Sequence, residues 1–461
     1  MSDYMQFLKS KELEQCRNPI PQIGDISEVL FPFQRECVKH LLAVGRGAAF
    51  LDTGLGKTVV QCEWARHIAG RVLFVAPLAV ARQTVREAKS MLGMHLEYCK
   101  DGKSSAKNII TNYERLSAFN ASDFDAVVLD ESSILKGFMS KTKLMLCEMF
   151  KDTKYKLACT ATPAPNDYME LGNHSEFLGV MASTEMLARW FINDPSQVGK
   201  YKLKGHAVKD FWQWVAGWAS CATKPSDMGF SDDGYDLPPL TVKTHIVESP
   251  TVAAYEDGML FEMSGSHSAT EMHRDKRRTV VERVALISGM VNASDSPWII
   301  WCESNQESAM LSRAIPGAVE VKGSDSAELK EARLMAFTDG DARVIVSKPS
   351  ICGFGMNWQH CQNIAFASIS YSYEKFYQAV RRSWRFGQKM PVNVHVAIAQ
   401  SEIPIWRIIE RKSTDHDEMK SHMKYATNGK VVHTKLPFIA DKEVYLPDWL
   451  ASKCPFRAVA Q

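Results

Sequence analysis

An eight-residue stretch near the N-terminus constrains the fold more than any other part of the chain. Residues 51–58 read LDTGLGKT and lie between the apolar residues 48–50 and a helical pattern that starts at Val59. A buried strand, a turn with paired glycines and a helix that begins at Lys-Thr are typical of a phosphate-binding loop. In such a loop, inward-facing backbone N–H groups and the helix dipole bind a polyphosphate. The sequence therefore predicts a strand, a phosphate loop and a helix in direct succession.

The last two residues of this loop carry its chemistry. We expect Lys57 to reach the β- and γ-phosphates and Thr58 to offer its hydroxyl to Mg²⁺. Position 51 is leucine where the full motif has glycine. An ordinary strand-to-helix turn is therefore the alternative, and the remaining parts of a phosphoryl-transfer site, further along the chain, decide between the two.

Length and charge limit the remaining possibilities. A chain of 461 residues is too long to fold around one hydrophobic core, and about 150 residues per domain gives two or three domains. The chain has 55 Lys and Arg against 53 Asp and Glu, so any nucleic-acid surface must be a local groove. The 11 cysteines show no C-x-x-C pair, which predicts reduced thiols, no disulfide and no structural zinc. Without a signal-like or membrane-spanning apolar run, we expect a cytoplasmic protein with no membrane partner.

Two carboxylates follow a buried strand pattern in residues 124–129. Asp130 and Glu131 would lie at the carboxyl end of a parallel strand, which is the edge where open sheets bind ligands. Asp130 is predicted to hold Mg²⁺, and Glu131 to orient or deprotonate the attacking water. Gln34, at the entrance of an earlier helix, is a candidate reader of an adenine base because an amide both donates and accepts.

The β/α rhythm is interrupted once and then restarts. Residues 165–235 are interpreted as a helical insertion, whose aromatic stripe at Phe211, Trp214 and Trp218 predicts packing in preference to base stacking. After the turn-rich residues 232–240, alternating strands and helices indicate a second parallel sheet.

A helix predicted over residues 374–384 carries the remaining charged candidates. Arg381, Arg382 and Arg385 lie on it or just after it. The guanidinium fork suits a γ-phosphate whose charge shifts in the transition state, whereas a solvated basic face is the alternative.

This series of motifs resembles that of the superfamily-two nucleic-acid helicases and translocases, especially the SWI/SNF-like branch in its short stand-alone bacterial or phage form. The family motifs match, in order, residues 33–34 (the adenine-reading element), 52–58 (I), 75–78 (Ia), 111–114 (Ib), 130–133 (II), 160–163 (III), 323–324 (IVa), 353–357 (V) and 378–388 (VI). Position 51 departs from the motif I pattern. The chain also has Ser132-Ser133 where Ala-His is frequent, and Arg381 and Trp384 where Asp and His are usual.

The resemblance implies an α/β fold of two RecA-like lobes, each a parallel sheet flanked by helices, with ATP and Mg²⁺ as cofactors between them. Arg382 and Arg385 would be arginine fingers beside the catalytic Lys57 and Glu131, and Asp130 and Thr58 would hold the metal. The implied nucleotide-binding set is Gln34, Thr53, Gly54, Leu55, Gly56, Lys57, Thr58 and Gly355.

The expected layout is an N-terminal extension (1–28), lobe 1 (29–164), the helical insertion (165–235), lobe 2 (236–425) and a tail packing on lobe 2 (426–461). The leading hypothesis is an ATP-dependent translocase on double-stranded DNA, acting as a monomer and with other DNA-processing proteins as further partners. A strand-separating DNA or RNA helicase and a nucleotide-gated protein remodeller are the alternatives.

Overall fold

The computed structural model describes residues 18–193, 201–247, 276–352 and 356–428. Gly355, in the predicted nucleotide-binding set, and almost all of the predicted tail 426–461 lie outside these residues. Within the described ranges, no helix combines the length and the apolar character needed to cross a bilayer.

The first lobe is built on a seven-stranded parallel sheet of order β3-β4-β2-β5-β6-β1-β9. Strands β1, β2, β5 and β6 are almost completely buried, as their continuous apolar sequences predict. A separate antiparallel pair, β7 and β8, is inserted after the sixth strand. The bounds are β1 Arg46–Leu51, β2 Val72–Ala76, β3 Glu97–Tyr98, β4 Asn108–Asn112, β5 Ala126–Asp130, β6 Tyr155–Cys159, β7 Phe191–Asn193, β8 Tyr201–Leu203 and β9 Ala219–Ala222.

Helices of the first lobe connect these strands and cover the sheet. Several end at a glycine in the left-handed conformation, such as Gly45 with φ 69° and Gly93 with φ 59°, where an L side chain would be strained. The described helices are Pro32–Val44, Lys57–Arg66, Leu78–Leu92, Lys141–Met149, Leu171–Leu178, Ser183–Trp190 and Val208–Trp218.

The second lobe contains a six-stranded parallel sheet of order β10-β15-β14-β11-β13-β12. Its strands are β10 Leu240–Val247, β11 Trp298–Trp301, β12 Val319–Val321, β13 Val344–Ser347, β14 Asn363–Phe366 and β15 Val392–Ala399. Its described helices are Val280–Asn292, Asn305–Ala314, Ala327–Thr338, Pro349–Cys352, Tyr373–Val380 and Ile403–Asn428. Each face of this sheet has its own buried apolar cluster, so helices cover both sides. The predicted fold of two parallel sheets flanked by helices is confirmed.

The interrupted segment 165–235 is helical only in part. Its aromatic stripe is buried, since Phe211, Trp214 and Trp218 are at most 2% exposed, which confirms the packing interpretation. However, Ala219–Ala222 forms β9, which pairs with β1 and extends the first sheet. The short sequence Ala-Ser-Cys-Ala has no β-branched or aromatic residue, so local preference did not indicate a strand.

Candidate nucleotide site

The predicted phosphate loop joins the end of β1 to the helix Lys57–Arg66. Gly54 and Gly56 have φ angles of 97° and 77°, a region that glycine enters without strain. Both also lie against neighbours. A Cβ atom on Gly56 would be 2.3 Å from Gln34 Nε2, and one on Gly54 would be 3.0 Å from the Phe386 backbone nitrogen. The two glycines are therefore required by backbone geometry and by close packing from both lobes.

Lys57 points its ammonium group back along this loop. Its Nζ donates to the Leu51 backbone oxygen at 3.1 Å. Burial lowers the pKa of Lys57, while the carboxylates of Glu131 and Asp130 act in the opposite direction. An anionic ligand in the loop would add to that opposing effect and stabilise the charged lysine.

Asp130 is fixed in place at the carboxyl end of β5. One carboxylate oxygen accepts from the Glu131 backbone N–H at 3.1 Å, and the other accepts from Gln61 Nε2 at 3.3 Å. Burial raises the pKa of Asp130, and Lys57 opposes this rise. The described residues contain no cluster of three acidic, histidine or cysteine side chains that could enclose a metal ion alone. Mg²⁺ is usually held by one or two carboxylates together with substrate phosphates and water, so Asp130 and Thr58 fit that ion.

Glu131 combines a strained backbone with an unpaired carboxylate oxygen. Its φ of 54° is the one positive value for a non-glycine residue in the described chain. Such a conformation costs on the order of 1–3 kcal/mol and is concentrated at functional sites. Burial raises the pKa of Glu131 to about 7, with Lys57 opposing and Asp130 adding to the rise. Its Oε2 atom is buried and has no hydrogen-bond partner within the described part of the chain.

The two arginines predicted as fingers reach the same region from the second lobe. Arg382 donates to the backbone oxygens of Gln378 at 3.0 Å and Met356 at 3.2 Å, and Arg385 donates to Met356 at 3.3 Å. Burial lowers the pKa of Arg382 to about 9, and that of Arg385 to about 10; a neighbouring arginine adds to each shift. Within the part of the chain that the structure describes, neither arginine forms an ion pair. A polyanion between the lobes would supply the missing negative charge.

A cleft of about 400 Å³ brings the predicted residues together. Leu55, which belongs to the predicted nucleotide-binding set, does not line this cleft because its side chain is buried. Its carbonyl group accepts a hydrogen bond from the Gln34 amide. The predicted residues that line the cleft are Gln34, Thr53, Gly54, Gly56, Lys57, Thr58, Asp130, Glu131, Arg382 and Arg385.

The proposed base-reading end of the cleft contains residues that the sequence did not indicate. Tyr235 and Phe386 line it with ring centroids 4.5 Å apart, and aromatic faces of this kind can stack on a base. Gln34 accepts from the Phe31 N–H and donates to the Leu55 carbonyl, both at 2.9 Å. Its amide therefore holds the phosphate loop, and base reading by Gln34 stays a prediction. In the sequence, Tyr235 is marked only by the turn-rich residues before it and Phe386 only by its place in motif VI. Neither signal indicates that the two side chains meet at the cleft.

Motif II contacts a histidine from another element. The Ser132 hydroxyl lies 3.2 Å from His174 Nε2, and His174 belongs to the helix Leu171–Leu178. Burial lowers the pKa of His174 to about 4, so its imidazole is neutral at physiological pH. An imidazole thus stands beside motif II although Ser133 occupies the usual histidine position.

A second groove of about 540 Å³ runs between the lobes. Its walls contain Pro77 and Leu78 of motif Ia, Glu114 of motif Ib and Gly323 of motif IVa. Arg82, Arg86 and Lys330 add positive charge along it, and Arg82 forms an exposed ion pair with Glu331 of the other lobe at 3.3 Å.

Charged groups from two parallel sheets that face one polyphosphate-sized cleft define the class of two-lobed P-loop nucleotide-binding proteins. The family model described as "Type III restriction enzyme, res subunit" matches residues 28–165. This match to the first lobe, the motif order and the fold support the resemblance to the superfamily-two helicases and translocases.

Individual relatives are distant. The DNA excision repair protein ERCC-6-like of Mus musculus is 25% identical over 197 residues, covering 36% of this chain and 16% of that protein. The chain therefore spans about a sixth of the length of these relatives. Protein p41 of Acyrthosiphon pisum secondary endosymbiont phage 1 is 22% identical over 437 residues, covering 81% of this chain and 93% of the relative. A fragment of an HsdR subunit of a type I restriction enzyme from Vibrio vulnificus shares the fold, with a TM-score of 0.52, 16% identity and coverage of 83% and 66% of the two chains.

Proposed function

We propose that the protein hydrolyses ATP in the cleft between its lobes and uses the cycle to move along double-stranded DNA. The observation that carries the proposal is the convergence of Lys57 and Glu131 from one lobe with Arg382 and Arg385 from the other on one cleft. Hydrolysis that needs groups from both lobes couples the nucleotide state to lobe closure.

In this proposal each side chain has a separate task. The N–H groups of the glycine loop and Lys57 bind the β- and γ-phosphates, and the arginines neutralise charge that develops on the γ-phosphate. Glu131 accepts a hydrogen bond from the attacking water through its unpaired oxygen and takes its proton. Mg²⁺, held by Asp130 and Thr58, would neutralise charge on the phosphate oxygens.

The second groove between the lobes, which Arg82, Arg86 and Lys330 line together with Glu114 and Glu331, is the proposed DNA track. Contacts to the DNA backbone by groove residues such as Arg86 and Lys330 require no unpaired base, and phosphate contacts are nearly blind to sequence. Thr111 and Asn112, which end β4, are buried and do not line this groove. Trp358 could have stacked on a base, but it is completely buried and donates to the Thr338 hydroxyl at 3.0 Å. The partial match to ERCC-6-like proteins supports the SWI/SNF-like branch and, with it, a duplex track.

Glu131→Gln is expected to retain ATP and DNA binding but to lower turnover about 10²–10⁴-fold, because the amide keeps the size of the side chain and loses the base. Single-turnover hydrolysis and binding of a fluorescent ATP analogue measure the two effects separately. A variant that loses ATP binding would make Glu131 a structural acid.

The pH dependence provides a second measurement on the same residue. Glu131 acts as a base only when deprotonated, and its pKa is raised to about 7. The wild-type kcat/KM, which reports groups of the free enzyme, should therefore rise as the pH increases through about 7. The residual rate of Glu131→Gln should lack that rise, and a persistent rise would assign the titration to another group.

Duplex DNA is expected to stimulate ATP hydrolysis more than single-stranded DNA or RNA. The steady-state rate is measured with equal nucleotide concentrations of linear duplex, single strand and structured RNA at one low salt concentration, since phosphate contacts weaken steeply with salt. Arg86→Ala, in the groove, should raise the duplex concentration needed for half-maximal stimulation. Strongest stimulation by RNA would favour the helicase alternative, and no response to any nucleic acid would favour a protein remodeller.

A further inference from the structure

The carboxylate of Asp52, at the start of the phosphate loop, is held by three side chains from the second half of the protein. Arg381 Nη2 lies 3.3 Å from Asp52 Oδ1, and Lys420 Nζ lies 3.0 Å from Asp52 Oδ2. The Tyr377 hydroxyl donates to Asp52 Oδ1 and accepts from Lys420 Nζ at 2.9 Å. We call these four residues the Asp52 cluster. It connects the first lobe, motif VI and the last described helix.

The Asp52 cluster acts directly on the backbone of the loop. Asp52 Oδ1 accepts from the Thr53 N–H at 2.6 Å, and Arg381 donates to the Thr53 carbonyl at 2.7 Å. Both peptide groups of Thr53, one residue before Gly54, are therefore oriented by the cluster. A shift of Asp52 would change the direction of the loop that is to bind phosphate.

The charges in the cluster are largely removed from water. The side chains of Asp52, Arg381 and Lys420 are 8%, 4% and 16% exposed. Burial alone would raise the pKa of Asp52, but Arg381 and Lys420 hold it well below its ordinary value, so the carboxylate stays ionised. Removal of one partner from a buried ion cluster destabilises the folded protein more than removal of a surface charge, because it leaves a buried charge uncompensated.

Lys420 reaches the loop because its helix leaves the second lobe. The helix Ile403–Asn428 follows β15 and packs on the first lobe, where His422 stacks on Trp212 with ring centroids 5.7 Å apart. Lys412 on the same helix donates to Asn166 at 2.7 Å. The position of Lys420 is thus fixed by contacts on both sides of it in the helix.

We propose that Lys420 is a positioning residue for the phosphate loop, acting through Asp52 together with Arg381 and Tyr377. Docking of the helix Ile403–Asn428 on the first lobe then sets the shape of the loop and the affinity for ATP. Lys420 lies beyond the last recognised motif, which ends at Gln388. Its proposed effect on ATP affinity rests on the proposed ATP hydrolysis.

The test compares Lys420→Met, Lys420→Arg and a control on the same helix, Arg411→Met, which alters an exposed side chain. Lys420→Met should lower kcat/KM for ATP about tenfold, mainly through KM, the scale of one lost hydrogen bond to a charged group. Lys420→Arg should recover most of this loss, and Arg411→Met should match the wild type. Combining Lys420→Met with Asp52→Asn should lower kcat/KM little further than Asp52→Asn alone, because both changes disrupt one contact.

Hydrogen exchange of residues 51–58 without nucleotide gives a readout that does not depend on activity. Lys420→Met should raise exchange selectively in this loop, and Lys420→Arg should not. Unchanged KM and unchanged loop exchange in Lys420→Met would overturn the proposal, as would faster exchange along the whole helix with no selective change in the loop. If the wild type hydrolyses no ATP, the proposed function fails, while loop exchange still decides whether Lys420 positions the loop.

Discussion

Lys57→Ala is expected to abolish ATP hydrolysis while the protein remains folded. In the described part of the cleft, Lys57 is the cation placed within the phosphate loop, and the arginines approach from the opposite lobe. Without it, the loop keeps its backbone N–H groups but has no cationic side chain to neutralise the β- and γ-phosphates as the bond between them breaks. The fold should survive because, within the described ranges, the ammonium group makes one hydrogen bond, to Leu51.

The measurement is the steady-state ATPase rate together with thermal unfolding. Lys39→Ala provides a matched control, because Lys39 is exposed on the same lobe and its ion pair with Glu36, at 3.4 Å, contributes little to stability. Wild-type hydrolysis by Lys57→Ala would disprove the assignment of residues 51–58 as the catalytic phosphate loop.

Arg382→Ala and Arg385→Ala are each expected to reduce turnover by roughly 10³-fold or more, the scale of an arginine finger. The expected effect on ATP binding is smaller, since both groups act mainly on charge that develops in the transition state. Their lowered pKa values fit this role, because a buried guanidinium that forms no ion pair within the described residues is stabilised when a polyanion arrives.

Arg313→Ala is a suitable control on the second lobe because Arg313 is exposed on the helix Asn305–Ala314. Single-turnover rates at saturating ATP separate chemistry from binding. Normal DNA-stimulated turnover in both Arg382→Ala and Arg385→Ala would mean that this segment serves only as a basic surface.

The sequence predicted the parts of the site that depend on local patterns. A glycine-paired turn after an apolar strand is encoded within a few residues, and so is an acidic pair at the end of another strand. Parallel strands then bring their carboxyl ends to one edge, which is why Lys57, Asp130 and Glu131 could be grouped before the structure was known. The arginines followed from a short segment with an unusual density of guanidinium groups, although the helix predicted over residues 374–384 ends at Val380, just before them.

The remainder depends on contacts between distant segments. Lys420 and Asp52 are separated by 368 positions, and no local pattern relates them. Tyr235 meets Phe386 because the lobes close on each other, and β9 forms because β1 offers it an unpaired edge. The strain at Glu131 is likewise invisible in the sequence, because backbone angles that oppose residue preference are imposed by the surrounding structure.

The helix Ile403–Asn428 also bears on how the lobes can move. Residues 223–239 join β9 to β10, and this helix, which continues from the second lobe, rests on the first lobe at Trp212 and Asp52. A body attached to another by one linker can swing in any direction, whereas a body attached at two separate points turns about the line that joins them. While the helix stays docked, these two attachments therefore restrict opening of the cleft toward rotation about the line that joins them, and they restrict the resulting displacement along the second groove in the same way.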